Sequence, residues 1–239
     1  MARIIVYLLK FLVAIMFALF FNSCRESIQG SGNIVKDTRT VEKFTGVDVS
    51  SGIKVMIEQA ETQEVVVEAD DNIKDQIHTK VVNGTLEIST SFNSLRNATM
   101  IVHVKIPEVS YLKSTSASKI NGKSLLISED LVLETSSGGN IETEVEAHKL
   151  RAESSSGSTI EISGKALNAD FDSSSGSSID ALNLVANEVK ATASSGSSID
   201  VQALKKLKAD ASSGASVDFS GKPVNIEKSE SSGGSVSQK

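Results

Sequence analysis

The sequence is poor in the residues that build several common kinds of site. It has no tryptophan, two prolines, one cysteine and only 4% aromatic residues in 239 positions. A single cysteine cannot form an intramolecular disulfide. The scarcity of aromatic side chains disfavours carbohydrate recognition through exposed rings. The apolar residues, 39% of the chain, are mainly Val, Ile, Leu and Ala, which suits thin and regular β packing.

Positive charge is also in short supply. The formal net charge is −6, and it becomes −8 once the N-terminal leader, which carries Arg3 and Lys10 but no acid, is set aside. A nucleic-acid binder needs a basic surface for its phosphate contacts. The charge balance therefore excludes nucleic acid as an expected partner and disfavours attraction to an anionic lipid surface.

The apolar leader is too short to span a bilayer. Its core, Phe11–Phe21, has eleven residues, whereas a spanning helix needs about 20. A basic start, a short apolar core and a cysteine after small residues are similar to a bacterial lipoprotein leader. We predict a signal peptide at residues 1–23, lipidation of Cys24, and a spacer over residues 24–39. The alternative is cleavage nearby, with Cys24 an incidental free thiol.

A Ser-Ser-Gly triplet recurs through the second half of the chain. Its glycines are 18 to 20 residues apart, at Gly138, Gly157, Gly176, Gly196, Gly214 and Gly233. Such a period is typical of stacked supersecondary units. A degenerate copy, Ser116-Ala117-Ser118, precedes the series, and Ser50-Ser51-Gly52 lies far upstream. We predict that each glycine occupies a corner that needs a positive φ or a close approach of the backbone, and that neighbouring serines bond to local backbone groups.

Alignment of the copies on the glycine indicates which residues point inward. Three positions after it stand only β-branched residues: Ile141, Ile160, Ile179, Ile199, Val217 and Val236. Seven and five positions before it stand apolar pairs, beginning with Leu131 and Leu133, as in a half-buried strand. In the last copy the pair becomes Ile226 and Lys228, which is expected of a terminal rung that meets water.

The predicted fold is all-β: a right-handed parallel β-solenoid (β-helix) with rungs of about 19 residues, each supplying at least two short strands bent around a corner. A leucine-rich repeat is disfavoured because its Asn or Cys ladder is missing. A helix over Leu182–Leu207 is disfavoured by the unbroken corner register. Between Val41 and Leu112 we predict longer strands, with a hairpin at Asn83-Gly84, that form either wider rungs or a cap.

Several separated motifs occur in the order found in a known family. They are Gly30–Asn33, Phe44–Val55, Glu68–Ile73, Asn83–Leu86 and Ser116–Ile120. Over about residues 30 to 220 the sequence resembles the "putative auto-transporter adhesin, head GIN domain" family of bacterial exported lipoproteins. The resemblance implies a β-helical domain on the cell envelope, expected here at residues 40–222 and followed by a terminal rung and polar tail at 223–239. It supplies no catalytic residues.

Two columns of carboxylates are the candidate chemistry of the repeat. One position past the inward Ile or Val stands a surface ladder: Glu142, Glu161, Asp180, Asp200 and Asp218. Four positions before the glycine stands a second: Glu134, Glu153, Asp172 and Asp210, interrupted by Thr192. Rungs about 4.8 Å apart would let neighbours share a calcium ion or raise a pKa. We favour a solvated face, since a repeat duplicates any surface residue and calcium-loop motifs are missing.

We predict no catalytic site, metal site or cofactor. His78, His103 and His148 lack a metal-ligand spacing, and no Gly-x-Ser-x-Gly elbow occurs. The predicted function is that of a non-enzymatic cell-envelope lipoprotein in adhesion, interaction or structural support. It would be exported and held at the outer membrane by its N-terminal lipid. Its further partner would be an envelope protein, a matrix protein or a glycan, with the oligomeric state open. The alternative is a carbohydrate-active β-helix enzyme or glycan-binding protein.

Overall fold

The computed structural model describes residues 28–91 and 95–239, so the predicted signal peptide and Cys24 lie outside it. The described chain is dominated by β-strands, with a short 3-10 helix at Lys74–Gln76. None of its helices has the length and apolar character needed to cross a membrane. The strands are β1 (Ile28–Gln29), β2 (Ile34–Arg39), β3 (Gly46–Val49), β4 (Lys54–Gln59), β5 (Glu64–Asp70), β6 (Ile77–Val82), β7 (Thr85–Thr90), β8 (Leu95–Arg96), β9 (Met100–Ile106), β10 (Tyr111–Ser114), β11 (Lys119–Gly122), β12 (Leu126–Thr135), β13 (Asn140–Ser154), β14 (Thr159–Ser173), β15 (Ser178–Ala193), β16 (Ser198–Ala211), β17 (Ser216–Ser220), β18 (Asn225–Glu230) and β19 (Ser235–Gln238).

The strands from β10 onward form a parallel stack, each turn of chain lying on the one before. The predicted inward column consists of direct register partners and is buried throughout: Ile141, Ile160, Ile179, Ile199, Val217 and Val236. Ile120 of the preceding rung extends this column. Each buried Ile or Val stabilises the stack by about 1.5–3 kcal/mol relative to an exposed one. The predicted β-solenoid is confirmed.

Strand lengths differ from the prediction. The longest strands are in the repeat, where β12 to β16 have 10 to 16 residues, whereas β3 to β7 have 4 to 7. The prediction of longer N-terminal strands is therefore wrong, as is that of two short strands per repeat. The reason is that each strand between two Ser-Ser-Gly corners bends once near its middle, and backbone pairing with the neighbouring rungs continues through this bend. One strand therefore covers both sides of the bend.

The structure places the triplet glycines at stacked corners. Their φ values lie between 68° and 78°, and the preceding serines also have positive φ, so both central residues of the turn are left-handed. Within one corner Ser177 N donates to Ser174 O at 3.3 Å, and between corners Gly176 N donates to Ser195 O at 3.1 Å. The corners thus form a ladder of their own, and glycine tolerates the required conformation better than any other residue.

The serine after the corner glycine completes the turn from inside. The buried Ser177 hydroxyl lies 2.7 Å from the carbonyl oxygens of Ser174 and Ser154, and accepts a hydrogen bond from Ser174 N. Ser158 and Ser197 likewise accept a hydrogen bond from the backbone N–H three residues before; Ser158 also contacts Ser155 O, and Ser197 contacts Ser173 O of the neighbouring rung. Polar groups at the corner are therefore satisfied within the protein, which permits them to be buried.

The N-terminal rungs do not stack in chain order. Strands β3 and β4 lie between β7 and β9 on one side and β10 and β11 on the other. The upstream corner joins the same column, since Gly52 N donates to Ser116 O at 3.0 Å. The chain therefore forms a first rung from β3 and β4, and then an outer rung from β7 and β9 that packs against one side of it. It returns to the other side of the first rung at β10, where the repeat begins.

Antiparallel strands cover the free edge of that outer rung. Strand β5 pairs with β9 and β2 pairs with β5, while β6 forms the predicted hairpin with β7 through Asn83-Gly84. Of the two N-terminal arrangements expected from the sequence, the cap is the one formed. Residues 34–39, predicted to belong to a spacer, instead form β2, because the alternating residues there have a sheet edge to pair with.

A polar clasp holds the start of the described chain against this cap. The buried Asp70 carboxylate accepts hydrogen bonds from Gly32 N and Thr99 N, both at 2.7 Å. Asp71 contacts the side chains of Ser31 and Asn33. Two of the motifs that carry the family resemblance, Gly30–Asn33 and Glu68–Ile73, are thus in direct contact.

The opposite end of the stack closes with polar side chains. Lys228 is the register partner of Ala209, and Glu230 that of Ala211, so charged residues occupy positions that are apolar in the rungs below. Glu230 Oε1 accepts a hydrogen bond from Val236 N at 2.7 Å, and Lys228 Nζ lies 4.7 Å from the centre of the Phe219 ring. These polar side chains disfavour the stacking of a further rung on the end of the solenoid.

Gly164 provides a stability test of close rung stacking. Its φ is 109°, and a Cβ placed on it would lie 2.1 Å from Val145 O in the neighbouring rung. We expect Gly164→Ala to lower the free energy of unfolding by about 2–4 kcal/mol. Gly157→Ala is the control, with φ of 68° and no atom within 4 Å of the added Cβ, and we expect a loss of about 1 kcal/mol. Urea unfolding compares the two, and equal losses would contradict close stacking at Gly164.

Candidate interaction surface

The first acidic ladder lies on one lateral face of the solenoid. Its members, Glu142, Glu161, Asp180, Asp200 and Asp218, are register partners on successive rungs. Lys119 lies 3.0 Å from Glu142 at one end, and this contact lowers the pKa of the Glu142 carboxyl. At the other end the Lys239 ammonium pairs with Asp200 and Asp218. The ladder therefore has counter-charges at both ends.

The second acidic ladder flanks the Ser-Ser-Gly corner. The register links Glu134, Glu153, Asp172, Thr192 and Asp210 in that order. It continues downward through Lys113 to Asp48 and Glu87. The Tyr111 hydroxyl donates to Glu134 at 2.8 Å, and burial together with this contact raises the pKa of Tyr111. Arg151 Nε donates to Glu153 at 2.5 Å.

In the second ladder, the charged form of Asp48 is destabilised by its surroundings. Burial is the largest cause that raises the pKa of its carboxyl, and Glu87 and Glu134 raise it further, whereas Lys113 lowers it. Partial burial and nearby carboxylates destabilise the charged form of Asp48, although Lys113 is one of its two register neighbours.

Neither ladder converges into a chemical centre. In the part of the chain that the structure describes, no three His, Cys, Asp or Glu side chains are grouped so as to hold a metal ion. The histidines lie apart: His78 contacts Ser91, His103 contacts Glu68, and His148 contacts Glu129. The ladders present evenly spaced charge along a face, which suits solvation and weak repeated contact.

A second corner interrupts each long strand. Along β13 and β14 the side chains alternate between inward and outward until two consecutive residues point outward, after which alternation resumes, and longer outward runs occur at the same place in β12 and β16. In β13 these residues are His148 and Lys149, between buried Ala147 and Leu150, and in β14 they are Leu167 and Asn168. Two outward side chains in succession require the chain to bend, so each rung turns here as well as at the Ser-Ser-Gly corner.

A groove of about 900 Å³ follows this second corner along the stack. We call it the second-corner groove. Its walls come from the loop before β10 and from successive rungs: Thr45, Glu108, Val109, Ser110, Ile127, Ser128, Glu129, Asp130, Glu146, Ala147, His148, Lys165, Ala166, Leu167, Val185, Asn187 and Leu204.

Exposed aliphatic side chains are concentrated along this groove. Ile127 is 59% exposed, Leu167 46% and Leu204 45%, and Val224, 85% exposed, follows on the last rung. These three groove residues lie on alternate rungs, β12, β14 and β16, and exposed large apolar residues grouped in one groove are typical of a contact site. By contrast, the large aromatic residues Phe171 and Phe219 are buried in the core.

Charge divides the groove along its length. The lower rungs and the adjoining loop contribute four carboxylates, from Glu108, Glu129, Asp130 and Glu146. Further along, Lys165 is followed by Leu167, Val185, Asn187 and Leu204. One end is therefore acidic and the other is mainly aliphatic.

The groove was not identified from the sequence, although a signal for it exists. Inward residues at Ala147 and Leu150 are three positions apart, whereas those along a straight strand are two apart. The same three-residue step occurs at Ala166 and Ala169. When the repeat copies are aligned, this three-residue step marks the bend. Leu167 can then be identified as an apolar residue at an outward position.

Replacement of Asp48 tests the electrostatics of the second ladder. The folded-state pKa of Asp48 is raised above the ordinary 3.8. Between these two pKa values the folded protein binds more protons than the unfolded chain, so its stability falls as pH rises through that range. Asp48→Asn is therefore expected to raise the thermal midpoint at pH 7, with the gain vanishing below about pH 3.8. Thermal unfolding across pH measures this, with Glu61→Gln, which removes an exposed carboxylate outside the ladder, as the control for loss of one negative charge. A lower midpoint at pH 7 would contradict the cost assigned to Asp48.

The fold occurs in solved bacterial proteins. A "putative adhesin" from Bacteroides fragilis has 22% identity and a TM-score of 0.84, over 89% of this chain and 100% of that one. A "putative lipid binding protein" from Parabacteroides distasonis has 18% identity and a TM-score of 0.74, and a "putative adhesin" from Parabacteroides merdae 18% and 0.72; each spans 90% of this chain and 100% of its own. At these identities the likeness shows the fold alone.

Comparison with curated proteins gave no match. A family model, however, matches residues 43–223, which is most of the chain and includes every rung from β3 to β17. The resemblance drawn from the sequence motifs is confirmed. The chain belongs to the family described as "Putative auto-transporter adhesin, head GIN domain".

Proposed function

We propose that this protein is a non-enzymatic adhesion module of the bacterial cell envelope that binds a protein partner through the second-corner groove. The observation that carries the proposal is the alignment of exposed aliphatic side chains, Ile127, Leu167 and Leu204, on an otherwise polar lateral surface. Their burial against a partner would recover apolar surface that the folded chain leaves in water. The family description and the adhesin neighbours support the same class of function.

A rigid scaffold suits this role. Each rung is hydrogen-bonded to its neighbours through long parallel ladders, so the groove residues are held on strands rather than on free loops. A surface fixed before binding loses little conformational entropy when the partner docks. The solenoid therefore serves as a preorganised template for contact.

The carbohydrate-active alternative has less support. Tyr111 is partly buried and its hydroxyl bonds to Glu134, while Phe171 and Phe219 are in the core. The carboxylates form uniform ladders rather than one irregular cluster with a base. Glycan hydrolysis needs two carboxylates in a defined pair about a sugar, which a uniform ladder does not single out.

We further propose that lipid chains on Cys24 hold the module at the outer membrane. The support is the sequence of the leader, together with a described chain that is clasped to the N-terminal cap from Gly30 onward. The tether and the groove would then be separate parts of the molecule, one for attachment and one for recognition.

The groove is tested with the Leu167→Glu/Leu204→Glu double variant of the full-length chain. Binding to a panel of purified envelope and matrix proteins is measured by biolayer interferometry, and polysaccharides are assayed for release of reducing ends. We expect saturable binding to a protein, weakened about tenfold or more by the double variant, and no turnover. Ile34→Glu is the matched control, because Ile34 is equally exposed, at 46%, but lies on the cap strand β2. Undiminished binding by the double variant, or polysaccharide turnover, would refute the proposal.

The anchor is tested by Cys24→Ser. The wild-type chain is expected to incorporate radiolabelled palmitate in its bacterial host and to fractionate with membranes, because acylation at the cysteine supplies the attachment. The variant should lose both the label and the membrane association. Retained label in the variant would show that Cys24 is not the lipidated residue.

A further inference from the structure

We infer that the second-corner groove takes an amphipathic α-helix of a protein partner, lying along the solenoid axis with basic residues over the acidic end. The inference rests on the proposed function, because it names the partner of the same surface. Its grounds are the spacing of the groove residues, the paired backbone of the described strands that flank the groove, and the division of charge.

The spacing favours a helix over an extended segment. Rungs stack about 4.8 Å apart, and the exposed aliphatic side chains Ile127, Leu167 and Leu204 lie on alternate rungs, about 9.6 Å apart, close to the roughly 10.8 Å of two α-helical turns. An extended strand along the same line presents like-facing side chains about 6.6 Å apart, and its mismatch is about three times larger per rung. From the rung of Glu108, which precedes β10, to that of Leu204 the groove spans six rungs, about 24 Å, which is the length of a helix of about 16 residues.

The backbone of the groove walls also favours a helix. Among the described residues that flank the second corner, Glu146 and Lys149 of β13 have register partners in both neighbouring strands. Lys165 and Asn168 of β14 do as well. A partner strand would find no free ladder to extend here, whereas a helix satisfies its own backbone hydrogen bonds and docks through side chains alone.

The division of charge along the groove sets the orientation of the partner helix. The carboxylates of Glu108, Glu129 and Glu146 line one end of the groove, while Leu167, Val185 and Leu204 line the other. A helix with Lys or Arg near one end and a continuing aliphatic stripe complements this division. An acyl chain would also fill the aliphatic part, but the carboxylates would repel the anionic headgroup of a fatty acid or acidic lipid.

The test uses synthetic 16-residue peptides and the purified full-length chain. The probe peptide has leucines at positions i, i+3, i+4 and i+7 and lysines around one end. One control peptide has the same composition in scrambled order, and a second replaces lysine by glutamate. Titration is followed by tryptophan fluorescence from a residue placed in the probe, since this chain has no tryptophan.

We expect the amphipathic peptide to bind saturably and to become helical on binding. Leu167→Glu should weaken its binding about tenfold, and Glu146→Gln should weaken it less while reducing its dependence on salt. Ile34→Glu should bind as the wild type does. The scrambled and glutamate peptides should bind at least about tenfold more weakly than the probe.

Two outcomes would overturn the helix assignment. The first is equal binding of the probe and scrambled peptides, or no binding of the probe to the wild-type chain. The second is binding of neutral phosphatidylcholine vesicles in place of the probe, lost in the Leu167→Glu/Leu204→Glu variant. Vesicle binding would leave the groove as the binding surface with lipid as its ligand. Failure of the proposed function is distinct, since envelope-protein binding would then persist in that double variant.

Discussion

Backbone hydrogen bonding between successive rungs is the interaction on which the rest of this structure depends. A single rung has one inward row of small and branched aliphatic residues and cannot shield it from water. Pairing with the rungs above and below satisfies the backbone and at the same time covers that row. The corner ladder, in which Gly176 donates to Ser195, extends the same principle through the turn.

The stack must end somewhere, and both ends of the described chain are closed in different ways. At the N-terminal end the chain lays an antiparallel pair, β5 and β2, over the outermost rung and fixes it with the Asp70 clasp. At the C-terminal end Lys228 and Glu230 replace the inward alanines, so the last rung is polar where another rung would need an apolar surface. An unpaired apolar end would invite association of stacks.

A repeating scaffold also repeats its surface, which explains both the acidic ladders and their limits. Register partners such as Glu161 and Asp180 arise because each rung copies the last, and the same copying keeps any acid from having a distinctive environment. The second-corner groove differs because its aliphatic residues break the polar pattern of the lateral surface. Departure from the repeat, rather than the repeat itself, is what marks the candidate site.

The sequence by itself determined the solenoid, its corners and its inward columns. The reason is that the period of the Ser-Ser-Gly triplet and the fixed offset of Ile141 and its equivalents follow directly from local geometry. The order of the N-terminal rungs, the pairing of residues 34–39 with β5, and the contact of Asp70 with Gly32 were decided only by the tertiary structure. These contacts join residues about 30 to 40 positions apart without any repeat to set their register, so local pattern carries no information about them. The groove is intermediate, since its bend leaves a three-residue step in the sequence, but only stacking brings Ile127, Leu167 and Leu204 into one surface.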